Sequence, residues 1–256
     1  MQDLLDIPAF VALTGRFPPP QILDVRRDPV TQAHPRVIAR AVRHDADTVL
    51  EWAARLEAWR PVAVYCAEGH ERGRDTAATL RALGFDARAL QGGLAAWEAA
   101  GQPTVPLRAP TRWVTRARPK IDRIACPWLI RRFIDAAAEF HYVPADTVRA
   151  FAATHGATPY DVPDVDYTHD GPACSFDAFI VRHALRDPAL QRLARIVRGA
   201  DTGALDLAEE APGLLAVSLG LSRVFDDDHA MLHAGMLLYD ALYLRCRERV
   251  PETAAA

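Results

Sequence analysis

Cys66 heads the run Cys66-Ala67-Glu68-Gly69-His70-Glu71-Arg72-Gly73, which has the residue types to make a reactive thiolate. An apolar stretch, Val62 to Tyr65, precedes the cysteine, and a helical pattern from Arg74 to Leu83 follows the loop. Strand, cysteine, tight loop and helix set a sulfur beside loop amides and a helix N-terminus, whose partial positive charge favours an anion. Such a setting lowers a thiol pKa and favours the nucleophilic thiolate. Arg72 adds a full charge, and His70 is a candidate general acid or base. A small buried thiol at a strand end is the competing reading of Cys66.

Three further clusters lie in the second half: Asp122 with Cys126, His169 with Cys174, and Asp228 with His229 and His233. His229 and His233 are four apart on an expected helix, so they share a face as paired metal ligands do. Taken singly each cluster is more often structural. Converging, these seven residues could hold a divalent metal ion, the one cofactor expected here. They sit beside a basic stretch, Arg112 to Arg132, whose single acid is Asp122. That charge suggests an anionic partner, and Lys120 and Arg123 are the candidate oxyanion-binding residues.

The elements that must position these residues differ between the two halves. Strand-like runs at 21–25, 62–65 and 87–90 alternate with helical patterns at 47–59, 74–83 and 94–99, with Asp47 as a helix N-cap. This alternation predicts a parallel α/β sheet, with ligands bound beyond the C-terminal strand ends, where Cys66 falls. Pro103, Pro106 and Pro110 mark a connector, which divides the chain into 1–105, a linker at 106–111, and 112–256. The second domain reads as mainly α-helical. Helices are expected at 127–138 with Pro127 in the first turn, 145–154, 176–185 capped by Ser175, 188–198 capped by Asp187 with Gly199 behind it, 213–224 and 226–249. A short strand is expected at 139–143 and a loop at 157–173.

Composition bounds the partners. The 256 residues carry a net charge of −3, half of them hydrophobic, which gives no global case for nucleic acid or a membrane surface. No nucleic-acid-binding signature accompanies the basic stretch. No apolar run approaches the length of a membrane span, and the N-terminus lacks the pattern of a signal peptide. The four cysteines are widely spaced without a C-x-x-C pair, which suggests free thiols in a cytoplasmic protein. A homo-oligomer is compatible with all of this.

Ile22-Leu23-Asp24-Val25-Arg26, Val64-Tyr65-Cys66 with its loop, and Leu90-Gln91-Gly92-Gly93-Leu94-Ala95-Ala96-Trp97 followed by Gly101 resemble the rhodanese family in order and spacing. The resemblance covers residues 5–105 and implies a rhodanese-like parallel sheet with flanking helices. It further implies sulfur transfer through a persulfide on Cys66, with no cofactor. Asp24, Arg26, Ala67, Glu68, Gly69, Glu71 and Gly73 are then the candidate substrate-binding residues. One feature departs from the family: five residues, not the usual four, separate Cys66 from Arg72. That spacing is similar to the phosphatase and arsenate-reductase branches, so oxyanion reduction or phosphate-ester hydrolysis is the second reading. Glu68 and Glu71 oppose a dianion but not a neutral sulfur atom, which keeps sulfur transfer first.

In the second half, Arg118 to Ile130, Thr168-His169 to Phe176-Asp177, Gly199-Ala200-Asp201-Thr202 and Asp227-Asp228-His229 resemble the C-terminal domain of the ChrB chromate-resistance proteins. ChrB members carry a DNA-binding module ahead of this domain, and here a rhodanese-like domain takes that place. The combined expectation is a sulfurtransferase coupled to a chromate-resistance domain that binds a metal or an oxyanion. Its partners would be a small-molecule sulfur donor and acceptor, or an oxyanion. A non-catalytic chromate or metal sensor is the reading from a different class.

Overall fold

A computed structural model describes residues 3–248, and the chain divides into two compact units, Met1–Pro110 and Thr111–Ala256. The first contains β1 (Leu4–Leu5), α1 (Ile7–Thr14), β2 (Gln21–Asp24), α2 (Asp28–Ala33), β3 (Arg36–Ile38), β4 (Ala41–Arg43), α3 (Val49–Trp52), β5 (Val62–Tyr65), α4 (Glu71–Ala82), β6 (Ala87–Leu90), α5 (Gly93–Ala99) and β7 (Thr104–Pro106). Five strands form one sheet in the order β1-β6-β5-β2-β4, every neighbouring pair parallel. Successive side chains alternate between its faces. Leu23, Val25, Val62 and Val64 pack into one core, and Ile22, Ala63 and Tyr65 into the other. Central β5 is buried at every position, as a strand covered on both faces must be.

Two expectations for this unit need correction. The helix expected over 47–59 is a single α-turn, α3, between two tighter turns at 46–48 and 53–55. Asp45, not Asp47, caps the first of these turns, accepting from the Asp47 amide. The chain leaves the helix early because Glu57 and Arg60, a buried ion pair, tie it to the entry of β2. Arg60 donates to the carbonyls of Pro19 and Pro20, and the Glu57 amide donates to the side chain of Gln21. The expected linker is also shorter. β7 pairs antiparallel with β3, and the Leu107 amide donates to Pro35, so the first unit reaches Pro110 rather than residue 105.

The second unit contains β8 (Arg112–Arg116), α6 (Asp122–Leu129), β9 (Glu139–Val143), α7 (Val148–His155), β10 (Thr158–Pro159), α8 (Ser175–Arg182), α9 (Pro188–Thr202), α10 (Ala211–Val224) and α11 (Asp228–Arg247). It is mainly helical, with a small parallel sheet in the order β10-β8-β9 that reaches into the expected 157–173 loop. Trp128 anchors its core against Phe133, Phe176, Tyr239 and Tyr243. Buried Asp240 accepts from the Trp128 indole and from both ends of the Arg132 guanidinium. Among the described residues no helix is long and apolar enough to cross a membrane. The end expected for the last helix, Arg249, lies outside the described residues.

Three element boundaries move in ways that matter for the chemistry. Pro127 does not open a helix; it sits inside α6, which begins at Asp122. A proline there leaves the carbonyl one turn back without its amide donor. That carbonyl belongs to Arg123, and it accepts from the hydroxyls of Tyr142 and Tyr160 instead. Cys174, not Ser175, is the N-cap of α8. Gly199 does not end α9, which runs three residues further to Thr202 and closes on left-handed Gly203. A side chain on Gly199 would meet Ala211 Cβ at 2.9 Å and the Ala204 carbonyl at 3.0 Å, so this glycine permits close packing inside the helix.

Candidate functional site

Cys66 leaves the carboxyl end of β5 and is 6 % exposed. Its Sγ lies against the first turn of α4, where a Cβ on Gly73 would come within 3.3 Å of the sulfur. Gly69 and the Gly92-Gly93 turn interlock, backbone against backbone, as their positive φ angles allow. The first amides of α5 donate back into the loop, Leu94 to the Cys66 carbonyl and Ala95 to that of Ala67. Arg74, which the sequence did not single out, donates from Nε to the Gly69 carbonyl at 3.0 Å. The loop is therefore held from both ends.

Several residues named from the sequence do other work. Arg72 turns its guanidinium away to the Val25 carbonyl and to Asp45 and Asp47, at 2.6 to 3.0 Å. It lines a cavity beyond β2 and β4 with Arg27, Arg43 and His44. Asp24 and Arg26 form a buried pair at 2.6 Å. The Arg26 guanidinium also donates to the His34 and Arg36 carbonyls, which makes it a brace for the strand ends. The His70 ring and Glu68 are 74 % and 66 % exposed and face each other at 3.5 Å. What His70 presents to Sγ is its carbonyl, 3.8 Å away. Glu71 opens α4 on its exposed side, and Ala67 is half-buried in the loop.

In the second unit, Asp122 and His169 come together with Asp201, their ligand atoms all within 4.8 Å of one another. Each is delivered by a different device. Asp122 opens α6 after Ile121, whose φ of 40° is held by the Tyr239 hydroxyl donating to its carbonyl at 2.7 Å. Asp201 lies on the last turn of α9, and His169 on the loop before α8. His169 Nε2 stands 3.5 Å from Asp122, 3.4 Å from Asp161 and 3.2 Å from Asp201. Buried Asp161 accepts from the Ser175 hydroxyl and from Arg116, and pairs with Arg123. The Ser175 amide donates to Asp122. The group faces a cavity that Lys120, Thr202, Leu215 and Leu219 also line.

Crowding like charges around one imidazole moves their protonation. His169 is pushed up to about 9, first by a long hydrogen bond to Asp122 and then by the charges of Asp122, Asp201 and Asp161. Asp201 is pushed up to about 7 by burial and by the charges of Asp122 and Asp161. Burial, then Asp122, raises Asp161 as well, against the pull of Arg116 and Arg123.

Five of the seven expected metal ligands stand outside this group. Cys126 and Cys174 are fully buried and do not line the cavity; burial and the charge of Asp122 raise both thiols, which keeps them protonated. Asp228 accepts from the Arg118 amide at 3.0 Å, and the His229 ring packs edge-on against Tyr142. Among the described residues, neither these two nor His233 joins the ligand group. Both candidate oxyanion-binding residues, Lys120 and Arg123, line the cavity, and Arg123 is also engaged by Asp161 and by the Arg116 and Ala117 carbonyls. Asp161 and Asp201 went unnamed in the sequence reading as ligand-site residues. Ending α9 at Gly199 hid Asp201, while nothing local marks Asp161.

Comparison with known proteins assigns both units. Residues 113–246 match the family described as ChrB, C-terminal domain, and residues 13–100 match the rhodanese-like domain. Protein ChrB of Cupriavidus metallidurans is 34 % identical over 145 residues, covering 54 % of this chain and 43 % of its own length. The chain thus spans less than half of that curated relative. A rhodanese-like domain protein from Staphylococcus aureus is 25 % identical over 43 % of this chain and 100 % of its own, with a TM-score of 0.36. A rhodanese-related protein from Thermoplasma volcanium is 23 % identical over 41 % and 98 %, also with a TM-score of 0.36.

Proposed function

The chain belongs to the ChrB C-terminal domain family and carries a rhodanese-like domain ahead of it, and on that premise we propose that it transfers sulfane sulfur as a persulfide on Cys66. The second unit, in this reading, binds a metal or an oxyanion and places the pair in chromate resistance. The observation that carries the first half is the seat of Cys66 Sγ, at a strand end and against a helix first turn where Gly73 leaves out a Cβ. The first turn of α4 meets the sulfur without a side chain at Gly73, which leaves room there for a second sulfur. Thiolate attack on the outer sulfur of thiosulfate forms the new S–S bond and breaks the old one. Sulfite leaves with the bonding pair, and the persulfide anion remains on Cys66. A nucleophilic acceptor then takes the outer sulfur and restores the thiolate.

The loop favours sulfur over an oxyanion. The His70 carbonyl points its negative end at Sγ, the Glu68 carboxylate faces the His70 ring, and the Arg72 guanidinium is spent on Asp45 and Asp47. A bound dianion would lack the Arg72 guanidinium. Chromate is an oxidising dianion whose reduction consumes thiols, which gives sulfur chemistry a use beside a chromate-resistance domain. The test is sulfur transfer from thiosulfate to cyanide, with intact-mass detection of the persulfide, in the full chain and in Cys66→Ser. The parent should load one sulfur and turn over, and Cys66→Ser should do neither. A parent inert towards thiosulfate and towards low-molecular-weight persulfides would sink the proposal.

A further inference from the structure

We propose that Asp122, His169 and Asp201 are the protein ligands of an exchangeable divalent metal ion in the second unit. This rests on reading that unit as ligand-binding and names the ligand, while standing apart from the chemistry of Cys66.

The distances are the first support. An imidazolium held by carboxylates as a plain ion pair makes bonds of about 2.7–2.9 Å. His169 Nε2 reaches none of its neighbours so closely; Asp201 is at 3.2 Å and Asp122 at 3.5 Å. Two ligand atoms each about 2.0–2.1 Å from one tetrahedral zinc ion lie about 3.3–3.4 Å apart, close to the 3.2 and 3.5 Å that separate His169 Nε2 from Asp201 and Asp122. His169 thus stands off both carboxylates, as ligands that share an ion do.

The surroundings are the second support. Asp122 is 1 % exposed, and the Ser175 amide that donates to it fixes one carboxylate oxygen. Asp161 stands behind the group, held by Ser175, Arg116 and Arg123, with its Oδ1 3.4 Å from the same Nε2. Structural zinc sites are closed by four protein ligands, whereas three protein ligands leave a position open. The open side here faces the cavity lined by Lys120, whose ammonium suits an anion bound to the metal. Two carboxylates and one imidazole, with no thiolate, suit zinc, manganese or ferrous iron and not a soft ion such as Cu(I).

The test uses the full-length chain, stripped with a chelator and titrated with Zn²⁺ and Mn²⁺ by calorimetry, with metal content measured after desalting. The parent and Cys66→Ser should take up one ion per chain. His169→Gln and Asp201→Asn should weaken the affinity by about tenfold or more. His169 is 40 % exposed, so its replacement should leave the fold intact, and circular dichroism of the stripped variants checks this. A parent that binds neither ion, or two variants that bind as tightly as the parent, overturns the assignment. In that case His169 is the fixed counter-ion of its carboxylates. Sulfur transfer that survives in the same preparation would leave the reading of the first unit standing.

Discussion

Gly69→Ala, set against Gly101→Ala, tests whether the interlock of the two glycine turns builds the Cys66 loop. The two positions share a left-handed backbone, φ +71° at Gly69 and +69° at Gly101. An alanine in that conformation costs about 1–2 kcal/mol. A methyl on Gly101 meets nothing within 4 Å, so that variant should lose only the conformational term. On Gly69 the methyl would lie 2.3 Å from the Gly92 nitrogen, 2.7 Å from its Cα and 2.8 Å from the Gly93 nitrogen. All three are backbone atoms, so no side-chain rotation relieves the overlap. The turns must part, which breaks the bonds from Leu94 to Cys66 and from Ala95 to Ala67, each 2.9 Å. At about 1 kcal/mol per bond, with the strain and lost packing, Gly69→Ala should cost about 3–5 kcal/mol. Native-state hydrogen exchange at the β5 amides of the full chain reads the opening free energy of this unit. Sulfur loading should fall with it. Opening free energies that agree within about 0.5 kcal/mol for the two variants would refute the reasoning, because only the contacts differ between them.

His44 makes the first unit acid-sensitive. It stacks on Trp52, and burial, then Arg55, lowers its pKa from 6.5 to about 4. Above pH 6.5 neither the folded nor the unfolded chain holds the proton; between 6.5 and about 4 only the unfolded chain does, so stability falls as pH falls. Because the ring is partly exposed, the parent should lose about 1–3 kcal/mol between pH 7 and pH 4 that His44→Phe does not lose, read in urea melts of both. Parallel curves would count against a buried neutral His44. In the second unit, Asp240→Ala leaves the Arg132 guanidinium, 1 % exposed, without its carboxylate and should cost about 3–5 kcal/mol in thermal or chemical melts. Replacing both partners, Asp240→Leu with Arg132→Met, should recover much of that loss; a double variant worse than the single would contradict the account.

Much of the fold was legible in the chain. Alternation along 21–25, 62–65 and 87–90 and the glycines at 92, 93 and 101 place the parallel sheet and put Cys66 at a carboxyl strand edge. These are local signals: a strand buried on both faces must be apolar at every position, and a left-handed turn selects glycine. The basic stretch at 112–132, and Asp122 and His169 as residues that could converge, were equally visible. The partners of those residues were not. Whether Arg72 faces Cys66 or Asp45 depends on where β4 sets its loop, and residue spacing carries no such information. Gly199 reads as a helix stop until Ala211 is seen packed against it; only then does α9 run on and carry Asp201 to His169. The sequence by itself determined the two domains, their families and the place of Cys66 at a strand end, because those rest on periodicity and contiguous motifs. The tertiary structure alone decided which acids gather round His169 and which thiols are shut away, because burial and convergence are properties of helices that meet far apart along the chain.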